Sequence, residues 1–126
     1  MKTISYGRII NIVGTFGKQP SPFFAVGSVT NAALLSFTKA FSLELEGTGI
    51  TVNAVNPGAV KSMLWSKTVE QIVSSGNKNI QFLASSNLPL TLPEEISAAV
   101  IYLIDKKSKS INGSSIYVDN GAYSSF

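Results

Sequence analysis

The sequence contains no cysteine and no histidine. Without cysteine there is neither a disulfide framework nor thiolate chemistry. Without histidine the commonest neutral-pH general base and metal ligand is gone, and no metal site is expected. Charge is also scarce: 13% of the 126 residues are charged, against about 25% in ordinary soluble domains. Such a deficit points to elements buried on both faces, or to apolar surface intended for another protein. Ten Lys plus Arg stand against seven Asp plus Glu. They are scattered apart from Lys106, Lys107 and Lys109, and no basic stripe interleaved with aromatics argues for nucleic-acid binding. No apolar run approaches the roughly 20 residues that span a bilayer. Nor does a charged n-region with an apolar segment and cleavage site open the chain, so neither membrane insertion nor secretion is expected and the cytoplasm is the expected location.

What is present is 44% apolar and strongly punctuated. Residues 8–13, Arg-Ile-Ile-Asn-Ile-Val, form a β-branched run closed by Gly14 and read as a buried strand. Gly14, Gly17, Pro20 and Pro22 then mark a loop. From about Val26 to Glu46 the pattern turns helical. Val29, Ala33, Ala40 and Leu43 recur at helical multiples, while Leu34, Leu35, Phe37, Phe41 and Leu45 fill neighbouring faces. An almost all-round apolar helix has to be covered on more than one side. Gly47 and Gly49 stop it, and Ile50 to Asn56 reads as a second strand closed by Pro57-Gly58.

Residues 61–92 are the least regular part, with room for one or two short amphipathic helices around Met63, Leu64, Trp65, Ile72, Val73, Phe82 and Leu83. Pro93-Glu94-Glu95 has the composition of a helix start, proline suiting the first turn and carboxylates the positive terminus. Ile96, Ala99, Val100, Leu103 and Ile104 make its expected core face, with Lys106 and Lys107 at its favourable end. Asn112-Gly113 turns the chain into a last strand, 115–119. The order strand, helix, strand, irregular segment, helix, strand implies a single α/β domain over residues 1–126: a partial Rossmann-like, doubly wound parallel sheet of about three strands with flanking helices.

Four segments carry a family likeness. Gly7-Arg-Ile-Ile-Asn-Ile, Asn31-Ala-Ala-Leu-Leu, Asn56-Pro-Gly-Ala-Val-Lys-Ser62 and Ile111-Asn-Gly-Ser-Ser-Ile-Tyr-Val-Asp-Asn-Gly121 follow one another in order and spacing. Together they resemble the C-terminal half of a short-chain dehydrogenase/reductase, from its fifth strand onward. The resemblance implies NAD(P)-dependent hydride transfer between a hydroxyl and a carbonyl, with NAD or NADP as cofactor. The family's glycine-rich dinucleotide turn has no counterpart, so Met1 reads as an entry into the middle of a longer reading frame.

The same resemblance implies a catalytic Ser, Tyr and Lys, and this sequence departs from it at all three. Gly14 stands at the serine position, Gly27 at the tyrosine and Asn31 at the lysine. Glycine transfers no proton, and asparagine brings no charge to depress a neighbour's pKa. No catalytic residue is therefore assigned, and loss of a general acid/base costs about 10²–10⁴-fold in rate. Phe24 lies near the tyrosine position but has no hydroxyl, and Ser28 reads as a helix-start residue. A literal Y-x-x-x-K, Tyr102 to Lys106, falls in the penultimate helix, where Tyr102 reads as core or interface.

For the cofactor, the resemblance implies nicotinamide contacts from Pro57, Gly58, Val60 and Ser62, at the carboxyl end of a parallel strand where open α/β sheets bind ligands. Read bare, the same residues make a proline-glycine turn. The functional expectation is an oxidoreductase truncated and inactive alone; the alternative is a catalytically silent oligomerisation or interaction module. The expected partners are a second copy of the chain or a separate N-terminal half, with a small-molecule substrate that the sequence does not name.

Overall fold

The computed structural model describes residues 1–21, 24–76 and 89–123. Strand β1 (Gly7–Ile12) leads through a short 3-10 turn at Thr15–Gly17 into helix α1 (Ala25–Glu44) and strand β2 (Ile50–Pro57). Helix α2 (Met63–Ser74), helix α3 (Pro93–Ile104) and strand β3 (Ser115–Val118) complete the described elements. The sheet has the order β1-β2-β3, both pairings parallel. Three parallel strands with flanking helices is the architecture that the strand-helix alternation implied. Phe82 and Leu83 lie outside the described residues; among the described residues of the irregular segment, α2 is the helix.

The sheet is organised on β2, which is buried at every position from Ile50 to Asn56. Helix α1 covers one face: the Asn11 amide donates to Thr38 Oγ1 at 2.9 Å, and Ile9, Phe41 and Leu45 pack with Ile50 and Val52. Helix α3 contacts all three strands and contributes the fully buried Leu103.

Asparagines join the centre to β3. The Val52 N–H donates to Asn112 Oδ1 at 2.9 Å, and the Asn112 amide donates to the Ser42 carbonyl of α1. Asn53 donates to the Ile111 carbonyl at 2.8 Å and accepts from the Ser114 N–H at 3.0 Å. Buried amides of this kind are tolerated because their donors and acceptors are used.

Helix α1 inverts the usual amphipathic arrangement. Its buried residues are Ser28, Thr38 and Ser42. These hydroxyls are satisfied locally, Thr38 donating to the Leu34 carbonyl and Ser42 to the Lys39 carbonyl. Meanwhile Val26 (80% exposed), Val29 (69%) and Phe37 (48%) face outward. With the exposed Ala33 and Ala40 they form one stripe at three- and four-residue spacing. The described residues thus cover α1 on one side, not on the several sides that its composition demands.

Two expectations for α3 are corrected. Ile104, expected on the core face, is 44% exposed, because a short helix on a sheet has one inward row, which Leu103 occupies; of the two readings for Tyr102, core or interface, its 55% exposure removes the first. The lysines do not sit in its last turn. Asp105 is extended and breaks the helix, its carboxylate accepting from the Lys107 N–H at 2.7 Å to start a separate 3-10 turn, Lys106–Ser108.

Leu103→Ala should lower the unfolding free energy by about 2–5 kcal/mol, the usual range for emptying a filled apolar site. Urea denaturation followed by circular dichroism checks this, and an unchanged midpoint would show that α3 does not anchor the sheet.

Candidate functional site

The carboxyl ends of β1 and β2 open onto a cleft of about 630 Å³. Its walls come from the loop after β1 (Gly14, Thr15, Phe16), the start of α1 (Phe24), the turn after β2 (Pro57 to Val60, with Ser62) and α2 (Leu64, Trp65, Thr68). This is the place where parallel α/β sheets take ligands, because the loops there diverge and leave a crevice.

The turn after β2 is held from two sides. The Gly58 N–H donates to the Val118 carbonyl at 3.1 Å, and a Cβ on Gly58 would come within 2.9 Å of Asp119 Cβ. Only glycine lets this turn close against the end of β3. Beyond it, the Thr91 N–H donates to the Ala59 carbonyl at 2.8 Å and the Lys61 N–H to the Thr91 carbonyl at 2.9 Å. Val60 is therefore fixed by a β-bridge to Thr91. Ser62 caps α2, its Oγ accepting from the Trp65 N–H at 3.2 Å, which leaves its own proton to donate. Pro57, Gly58, Val60 and Ser62, the four residues singled out for a cofactor, all line the one cleft.

The three substituted positions also come together. The Gly14 N–H donates to Asn31 Oδ1 at 2.7 Å, and Asn31 Nδ2 donates to the Gly27 carbonyl at 2.7 Å. One asparagine amide thus ties the end of β1 to the first turns of α1. Gly17 lets the strands of this knot approach, since a Cβ there would lie 2.8 Å from the Asn31 carbonyl carbon. No ionisable side chain takes part, so the arrangement holds backbone in place and moves no proton. Ser28 is part of the same corner: its Oγ accepts from the Ser21 N–H at 3.2 Å.

Sequence reasoning placed Asn31 as a lost lysine and did not find its role as a clasp. The signal available was the pair of glycines, whose bare backbone groups a side-chain amide is suited to bridge. It also missed the aromatic lining. Phe16 and Phe24 stack at 5.1 Å with an interplanar angle of 10°, and Trp65 enters from α2. The literal Tyr102/Lys106 pair lies on and beyond α3, and neither residue lines the cleft. Among the described residues no group of His, Cys, Asp and Glu could hold a metal ion, and no helix is long and apolar enough to cross a membrane.

Tyr117 flanks this end of the sheet. Its ring stacks on Tyr123 at 4.6 Å, and the Lys18 ammonium lies 5.6 Å from its centroid. Its hydroxyl is buried without a hydrogen-bond partner among the described residues. Burial pushes the phenol above its usual value, and the nearby Lys18 only partly offsets this.

Comparison with known proteins agrees with this geometry. The family profile described as enoyl-(acyl carrier protein) reductase matches residues 1–123. The chain belongs to the short-chain dehydrogenase/reductase family. It is 32% identical to the NADPH-dependent reductase BacG of Bacillus subtilis across 99% of its own length and 51% of that protein. With the 3-oxoacyl-[acyl-carrier-protein] reductase FabG of Rickettsia bellii it shares 35% identity, covering 96% of the chain and 48% of the relative. Among solved structures, actinorhodin polyketide ketoreductase with NADPH superposes with a TM-score of 0.86 at 30% identity, covering 98% of this chain and 49% of that one. The chain therefore spans about half the length of the relatives it matches.

Two measurements test the site. Asn31→Ala strands the Gly14 N–H, while the Gly27 carbonyl keeps the Thr30 hydroxyl at 3.0 Å, and should cost about 1–3 kcal/mol of stability, read from the denaturation midpoint. In an absorbance titration, one phenol should ionise above the usual value of about 10. Because the folded state holds that proton more tightly than the unfolded chain, the associated stability is present below the unfolded value. It is lost as the pH rises through the folded one. Tyr117→Phe should remove that late component; its persistence would assign it elsewhere.

Proposed function

We propose that this chain is the nicotinamide- and substrate-facing half of an NAD(P)-dependent short-chain oxidoreductase, acting in the cytoplasm and unable to turn over by itself. The observation that carries the reading is the Asn31 amide joined to Gly14 and Gly27 where the family places its lysine, serine and tyrosine. The family relationship supports the oxidoreductase assignment, and the names of the relatives point to ketone reduction with NADPH.

The residues around the cleft suit a nicotinamide ring. Gly58 is kept free of a Cβ by Asp119, Val60 is pinned by Thr91, and Ser62 has a proton to donate. Pro57, Gly58, Val60 and Ser62 would hold the carboxamide end. When bound, the nicotinamide supplies the hydride. The chain's own residues position the ring, while proton delivery has to come from elsewhere, since Gly14 and Gly27 carry no acid. The adenosine half needs a glycine-rich turn at a helix N-terminus, and the β1 edge, which pairs with no further strand among the described residues, is suited to receive a polypeptide that brings one.

A second reading, a silent association module, is favoured by one feature, the outward apolar stripe of α1 (Val26, Val29, Ala33, Phe37, Ala40). Under it a second copy covers the stripe and the cleft chemistry is dispensable.

Purified alone, the chain should not oxidise NADPH or NADH above background with a panel of ketones, measured by the loss of nicotinamide absorbance. Turnover at an ordinary enzymatic rate would sink the reading. In sizing chromatography the stripe predicts a dimer or larger, and a clean monomer would remove the association reading.

A further inference from the structure

Among the described residues that line the cleft, none carries a charge: Lys, Arg, Asp and Glu are all absent. The described cations adjacent in sequence to lining residues are Lys18, Lys61 and Lys67; Lys18 sits over the Tyr117 ring, and none of the three belongs to the lining. The polar lining groups are also partly engaged. Thr68 Oγ1 donates to the Leu64 carbonyl at 2.8 Å, Ser62 accepts from Trp65, and the Gly14 N–H is taken by Asn31. A carboxylate or phosphate placed here would lose its water without finding a counter-charge.

The apolar lining is built for flat surfaces. Phe16 and Phe24 lie nearly parallel, and Leu64 and Trp65 come from α2. Leu64 is 76% exposed, although it borders the cleft. A large apolar side chain held at the mouth of an uncharged, aromatic-walled cavity gains by covering an apolar ligand. The volume of about 630 Å³ falls within the usual range for sites that enclose a drug-sized molecule.

We infer that this cleft binds a neutral, ring-bearing carbonyl compound, with its flat face against the Phe16/Phe24 and Trp65 side chains, and discriminates against anionic acyl groups. The inference rests on the proposal that the cleft is the substrate-facing site, but it requires neither dinucleotide nor turnover. Loss of the proton-handling groups leaves such binding intact, because apolar contact needs no titratable residue.

Trp65 is the one tryptophan in the chain, so its fluorescence reports on this cleft directly. The test uses 2-acetylnaphthalene, a neutral ketone that accepts energy from tryptophan, and its anionic counterpart 2-naphthoate, with titration calorimetry in parallel on the whole chain. Saturable quenching and heat with the ketone, and binding about ten-fold weaker or worse for the carboxylate, are the results expected from desolvating an unpaired anion. Leu64→Asp should weaken ketone binding by about ten-fold without moving the denaturation midpoint, and Leu64→Met should keep it. Absence of saturable binding by either readout, equal affinity for the two probes, or an indifferent Leu64→Asp would each overturn the inference. None of these outcomes depends on NADPH oxidation, so failure here is separable from failure of the oxidoreductase proposal.

Discussion

A strand buried on both faces has to satisfy every backbone and side-chain polar group from within the protein, and β2 imposes that constraint on everything around it. Its two ladders take most of the backbone groups. The remainder fall to asparagines, with Asn53 and Asn112 stitching β2 to the start of β3 and Asn56 donating to the Val13 carbonyl at 3.0 Å. Asn11 reaches from β1 to α1. Because these amides are aimed, they fix register as well as contributing energy: a slip by one residue would leave several of them buried without partners. Asn56 Oδ1 and the Tyr117 hydroxyl, in register with each other across β2 and β3, are buried polar atoms left without a partner among the described residues.

The same amide chemistry explains how the site persists without its catalytic groups. In this family the end of the first strand here and the start of α1 meet around a serine, a tyrosine and a lysine. In this chain Asn31 bridges the backbone of Gly14 and Gly27 directly. The corner keeps its shape, and with it the cleft, the Gly58 turn and the bridge from Val60 to Thr91. A neutral clasp costs less to bury than a charged one, which fits a cleft whose described lining residues carry no ionisable side chain. Binding and proton transfer are separable properties: the Asn31 clasp holds backbone at this corner and offers no ionisable group.

Association is the other consequence of the composition. Helix α1 spends its buried positions on hydroxyls, those of Thr38 and Ser42 satisfied by its own carbonyls and that of Ser28 by the Ser21 N–H, and leaves Val26, Val29 and Phe37 outside. This ordering suits a helix held to its sheet by small residues and an asparagine, with apolar surface free for another polypeptide. The open edge of β1 asks for cover as well. Both are surfaces of the kind that a covering polypeptide would bury.

The sequence alone determined the architecture, because period, punctuation and glycine-proline turns are local properties. The β-branched run before Gly14, the strand ended by Pro57-Gly58 and the proline start at Pro93 each act within a few residues. It also disclosed the departures at Gly14, Gly27 and Asn31, since a residue type that cannot move a proton is recognisable without coordinates. Tertiary structure decided the rest. That Asn31 reaches Gly14 across 17 residues, that Leu103 turns inward while Tyr102 does not, that Gly58 must be bare because Asp119 lies against it, and that Trp65 shares a wall with Phe16 all depend on distances between segments remote in sequence. Local periodicity carries no information about such distances, which arise only when the sheet closes its register and the helices settle on it.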